Sequence, residues 1–131
     1  MFILFLISVM AISVKTNERK KGEVESNIIY YDCKNDTDCF LEHLFYCKPA
    51  KATINITDGI TYITDNRIEG KRGDVCVRWI RVIEPEYIDG KRVYGYDMTC
   101  YLKKDERFEL NPEKIVRYNC TGLLSTILRG Q

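Results

Sequence analysis

The sequence predicts an α+β fold: one N-terminal helix packed on an antiparallel sheet of about four strands, then a short C-terminal helical segment, the whole braced by disulfides. Three observations carry this expectation. Apolar residues recur at helical spacing over a stretch that stops at Pro49, and the period changes to two between Ala50 and Leu102. Six cysteines are present, and all of them lie beyond an apolar N-terminal segment.

The helix is the clearest element. Asp36 or Thr37 can cap it, Asp38 and Glu42 favour its positive end, and Lys48 sits near its negative end. Phe40, Leu41, Leu44 and Phe45 form one apolar stripe, and Pro49 forbids continuation because it lacks the amide hydrogen and restricts the residue before it. Ahead of the helix, Ile28-Ile29-Tyr30-Tyr31 reads as a short strand.

The sheet reads from the period-two runs. Ile54, Ile56, Ile60, Tyr62 and Ile68 alternate with polar residues, Val75 to Ile83 is rich in β-branched and aromatic side chains, and Arg92 to Leu102 places Tyr94, Tyr96, Met98, Cys100 and Leu102 on one face. Asp58-Gly59, Gly70-Lys71-Arg72-Gly73 and Asp89-Gly90 supply the turns, and sequential hairpins make an antiparallel sheet that can keep one face wet. Asn111-Pro112-Glu113 starts a short helix running to about Tyr118, and Leu123, Leu124, Ile127 and Leu128 space a last helical turn or two.

Three segments divide the chain. Residues 1–14 carry no charged side chain. As a helix they would span about 21 Å, short of the hydrocarbon core of about 30 Å, which suits a secretory signal segment or an N-terminal anchor. Residues 15–26 are a charged polar linker, and residues 27–131 form a single α+β domain. An apolar fraction of 45% with 30% charged residues belongs to a globular protein, and a net charge of +1 provides no electrostatic footprint for nucleic acid. Membrane contact is expected only through the N-terminal anchor.

Export makes Cys33, Cys39, Cys47, Cys76, Cys100 and Cys120 a disulfide framework. Cys39 and Cys47 are two helical turns apart, about 12 Å, too far to bridge each other. The expectation is that all six pair within the chain and that at least one bond ties the helix to the sheet. Cys47 then takes Cys76 or Cys100, which leaves Cys33 or Cys39 for Cys120.

The run Cys33-Lys34-Asn35-Asp36-Thr37-Asp38-Cys39-Phe40, continuing to Cys47-Lys48-Pro49-Ala50-Lys51, resembles a pattern in an uncharacterised family of small exported prokaryotic proteins, many of them archaeal. Ile68-Glu69-Gly70 before Cys76, Met98-Thr99-Cys100 and Cys120-Thr121-Gly122 are similar to its later parts, so the likeness extends from Cys33 to Gly122. The resemblance implies export and a helix followed by strands. It implies no catalytic residue and no ligand.

Candidate sites are few. Cys39, His43 and Cys47 would stripe one helix face and could hold zinc with a fourth ligand, but exported cysteines oxidise, so no metal is expected there. His43 is the one histidine, and Cys–His or Ser–His catalysis would have to use it. It reads instead as a helix-surface residue with no orienting carboxylate. Asp32, Asp36, Asp38 and Glu42 follow the helix dipole and form no calcium loop. Arg72-Gly73-Asp74 spells an adhesion tripeptide where a turn already calls for Gly and Asp. Asn35, Asn55 and Asn119 each open an N-x-[ST] glycosylation acceptor.

No catalytic residue, cofactor or metal is therefore expected. The leading function is an exported or envelope-associated, non-enzymatic binding module that meets an extracellular protein or envelope component through its sheet face or loops. An inhibitor or toxin-like effector is one alternative, and a carboxylate-based enzyme is another.

Overall fold

Strand β1 (Tyr31–Lys34) leads into helix α1 (Thr37–Tyr46), and the chain returns as β2 (Ala50–Asp58) parallel to β1. These elements belong to a computed structural model, which describes residues 27–130. The signal segment or anchor (1–14) and the polar linker (15–26) expected from the sequence lie, like Gln131, outside the described residues.

Strands β3 (Ile60–Arg72) and β4 (Val75–Glu84) follow as antiparallel hairpins. A two-stranded ribbon, β5 (Tyr87–Ile88) and β6 (Lys91–Arg92), then loops out. The chain rejoins the sheet as β7 (Asp97–Leu102), passes through α2 (Pro112–Ile115) and β8 (Asn119–Thr121), and ends on α3 (Leu123–Leu128). The main sheet has six strands in the order β1-β2-β3-β4-β7-β8, where about four had been expected. It is also mixed, because the link from β1 to β2 runs through α1, and a helical crossover joins parallel neighbours.

Helix α1 forms where its sequence says it should. Asp36 accepts a hydrogen bond from the Cys39 amide at its start, and Cys47 closes it in the left-handed region. Phe40 and Leu44 are completely buried against Ala50, Ala52, Ile54, Ile68 and Cys76. Phe45 does not join them: it is 46% exposed and faces Tyr46 and Phe108, because the next residue along the stripe has rotated past the sheet contact.

A second core gathers Tyr62, Ile80, Val82, Met98, Cys100 and Leu102 under Ile115, Val116 and Leu124 of α2, its C-terminal cap and α3. Both cores lie on the same face of the sheet. Between them runs a buried polar seam of Thr64, Asn66 and Arg78, flanked in register by Ala52 and Ile68 on one side and Ile80 and Cys100 on the other. Arg78 donates twice to Asn66 Oδ1 (3.1 and 2.8 Å) and once to the Glu109 carbonyl at 2.7 Å. Burial lowers its pKa to about 9, against the opposing pull of Glu109.

Several expected strand limits move. The first strand is Tyr31–Lys34, not Ile28 to Tyr31, because pairing with β2 begins only at Tyr31 opposite Ala50. The run from Arg92 to Leu102 breaks: Tyr96 N bonds back to Val93 O, and Gly95 takes a positive φ of 81° with its amide on Val82 O. Tyr94 therefore leaves the sheet face it was assigned and is exposed, whereas Tyr96 still packs against the second core. The helix at Asn111 stops at Ile115, well before Tyr118, since the chain must turn back to form β8.

All six cysteines pair, as Cys33–Cys39, Cys47–Cys76 and Cys100–Cys120. Cys47–Cys76 is the expected tie from helix end to sheet. The expected bond from Cys33 or Cys39 to Cys120 does not form. Strand β8 places Cys120 directly opposite Cys100, with Cα atoms 4.0 Å apart, so a cross-strand bond forms there. Cys33, one residue before the end of β1, meets Cys39 at the start of α1. Three disulfides fit an oxidising compartment. No helix among the described residues is long and apolar enough to cross a membrane.

Candidate functional site: the uncovered sheet face

Among the described residues, the helices and the C-terminal segment lie on one side of the sheet, and the alternation of each strand decides what the other side carries. Lys51, Thr53 and Asn55 of β2, Asp65 and Arg67 of β3, Trp79 and Arg81 of β4, Asp97, Thr99 and Tyr101 of β7, and Asn119 and Thr121 of β8 all point away from the two cores. Register joins them into rows. One row runs Thr53, Asp65, Arg81, Asp97; the next runs Lys51, Arg67, Trp79, Thr99, Thr121.

Trp79 is the single tryptophan, and it stands at the centre of this face. Its indole Nε1 donates to Asp97 Oδ2 at 2.8 Å. The Arg67 guanidinium lies 4.0 Å from the indole ring centre, and that of Arg81 lies 5.6 Å away on the neighbouring row. Arg81 Nη2 donates to Asp65 Oδ2 at 2.8 Å, and Thr53 Oγ1 donates to the other oxygen of the same carboxylate at 3.0 Å. Towards the far end of the row, Tyr30 donates its hydroxyl to Glu69, which is also 3.8 Å from Arg67 Nε. Large, stiff side chains are thus held in fixed positions by one another on a face that water still reaches.

Two depressions flank the indole. One, of about 520 Å³, is lined by Asp32, Lys51, Thr53, Asp65, Arg67 and Arg81 together with Trp79. The other, of about 330 Å³, lies between Ile28, Glu69, Val77, Thr99 and Tyr101 on the other side of Trp79. Both are shallow and polar, shaped for a surface more than for an enclosed small molecule.

The residues singled out from the sequence fall elsewhere, or at the rim. The Cys39, His43, Cys47 stripe is taken apart by the disulfides. Cys33 and Cys39 do lie near His43, whose Nδ1 is 3.8 and 3.9 Å from their sulfurs, but bonded sulfurs offer no thiolate to a metal. His43 Nδ1 donates to the Cys39 carbonyl at 2.9 Å, and its ring stacks on Tyr31. Arg72-Gly73-Asp74 forms the exposed β3–β4 turn, with Gly73 at positive φ. Asn35, Asn55 and Asn119 are all exposed; Asn35 sits in the turn before α1, whereas Asn55 and Asn119 stand on the uncovered face.

Neither Trp79 nor its arginines stood out in the sequence. The signal that could have found them is the outward half of each alternating run, where Asp65, Arg67, Trp79 and Arg81 replace the usual threonines and lysines. No family model, curated protein or solved structure matches this chain.

Proposed function

We propose that the protein is an exported, non-enzymatic binding domain that engages an extracellular protein through the uncovered face of its sheet, with Trp79 as the anchor. The observation that carries this reading is the Arg67–Trp79–Arg81 stack at the middle of a face that no described helix covers. Tryptophan, tyrosine and arginine are the residue types that dominate binding energy at protein interfaces, and they do so where neighbours hold them rigid. Asp65 and Asp97 already accept hydrogen bonds from Thr53, Arg81 and Trp79, an arrangement that supports recognition over carboxylate catalysis.

Substitution tests the reading. Trp79→Ala and Arg67→Ala are expected to weaken partner binding by ~2 kcal/mol or more, about thirtyfold, with the far-ultraviolet spectrum unchanged. Glu42→Ala, on the exposed side of α1, is the control and should have no effect. Equal loss from all three, or none from Trp79→Ala, overturns the assignment.

A further inference from the structure

We infer a second, independent site: an oxyanion pocket at the opposite end of α1 from the Cys33–Cys39 bond, suited to a sulfate, phosphate or carboxylate carried on a ring. A depression of about 630 Å³ opens where the end of α1, the β3–β4 turn and the segment after β7 meet. Four cationic side chains line it, Lys71, Lys103, Lys104 and Arg107, against the two carboxylates of Asp74 and Asp105. None of the six takes part in an ion pair among the described residues.

Arg107 is the second and decisive observation. Only 4% of its surface is exposed, yet among the described residues its guanidinium makes a single hydrogen bond, from Nη1 to the Phe45 carbonyl at 3.1 Å. Its Nε is buried with no partner. Arg78, the other buried guanidinium among the described residues, makes three hydrogen bonds. Arg67 Nε also lacks a hydrogen bond, but a carboxylate lies 3.8 Å from it. Among the described residues, Arg107 alone combines burial, an unsatisfied donor and no ion pair. A buried guanidinium is stable when an anion completes its fork of donors, and the open cavity beside it is where that anion would sit.

The rim specifies the rest of the ligand. Phe45 and Tyr46 line the depression at 46% and 57% exposure, and Phe108 packs against Phe45 with ring centres 5.9 Å apart. Exposed aromatic faces beside clustered cations favour an anion borne on a flat aromatic or saccharide ring over a free inorganic ion.

The experiment is a titration of the intact protein, labelled with nitrogen-15, with inorganic phosphate, phenyl phosphate and glucose 6-phosphate, following the Arg107 Nε–H resonance. The phenyl and sugar arms distinguish which ring is favoured. At least one ring-borne phosphate should shift that resonance and bind about tenfold more tightly than inorganic phosphate. Lys103→Ala/Lys104→Ala, two exposed positions whose loss leaves the core intact, should weaken it by about tenfold, and added salt should weaken it further. Arg107→Lys, which keeps the charge without the fork, should abolish the preference. An Arg107 resonance that no probe moves overturns the site. So does inorganic phosphate binding as tightly as both ring-borne forms, or a lysine pair whose removal changes nothing.

Discussion

Arg78 shows how much a single residue can organise in this fold. A charged side chain with no exposed surface sits between two apolar cores, and its cost is offset by the Asn66 and Glu109 acceptors and by the Phe40 ring, whose centre is 5.3 Å from the guanidinium. Arg78→Met should therefore destabilise by ~1–3 kcal/mol, because it strands Asn66 Oδ1 and the Glu109 carbonyl without donors. Adding Asn66→Leu should restore part of that loss, a non-additivity that denaturant melts of the two single variants and the double variant would detect. Fully additive losses would mean that the seam is not a coupled network. Gly122 is the other sensitive position. Its φ is +112°, and a Cβ there would come within 3.0 Å of the Asp97 carbonyl oxygen, so Gly122→Ala is expected to cost on the order of 1–3 kcal/mol and to loosen β8 from β7. A thermal midpoint unchanged by that substitution would contradict the close packing described.

Among the elements, α1 depends on one cross-link more than on the others. The Cys47–Cys76 bond joins its end to β4 across 29 residues, a loop worth about 3.5 kcal/mol in the chain-entropy treatment. Cys33–Cys39 spans only 6 residues and is worth about 2 kcal/mol on the same basis. Replacing the first pair by serine should lower the unfolding free energy more than replacing the second, and the reverse order in denaturant titrations would refute the account. The Asp58 contact sets a pH dependence at the same scale. Hydrogen bonds from Asn111 and Lys114 hold the Asp58 carboxyl below its usual range, and Asp58 in turn raises Lys114. The contact between β2 and α2 is thus fully present above about pH 4, is lost as acid protonates Asp58, and weakens again only at strongly alkaline pH. Asp58→Asn should flatten the acid limb of stability slightly, as expected of an exposed pair.

Legibility also differed by element. Helix α1 was readable because its cap, its apolar spacing and Pro49 agree. Strands β1 and β8 were not, because each buries a single residue, Cys33 or Cys120, which leaves no alternation to see. The stretch from Val93 to Tyr96 alternates as a strand would, and only the turn at Gly95 breaks it. The cluster around Trp79 depends on register: Arg67, Thr99 and Asp97 become its neighbours only once the strands are paired, and nothing local in the sequence sets that pairing.

Among the described residues the molecule is a sheet with helices on one side and none on the other, and its larger-scale properties follow from that asymmetry. Among the described residues, both cores are built from side chains between Cys33 and Leu128. Removing residues 1–26 should accordingly leave a soluble domain with an unchanged thermal midpoint, and a large drop would show that the apolar segment contributes to the core. Glycosylation offers a geometric control on the proposed interface. A glycan at Asn119, on β8 beside Tyr101, should obstruct the uncovered face, whereas one at Asn35, in the turn before α1, should not. Binding assays on single-acceptor variants made in a glycosylating host would tell them apart. The central claim, that the Trp79 face is where the partner docks, is tested most directly by photo-cross-linking. A photoreactive side chain is placed at Thr99 on that face or at Glu42 on α1, and the protein is exposed to the fluid around the cells that produce it. The account predicts a discrete protein adduct from Thr99 that disappears when Trp79→Ala is added, and none from Glu42. An adduct from Glu42 alone, or a Thr99 adduct indifferent to Trp79, would contradict it.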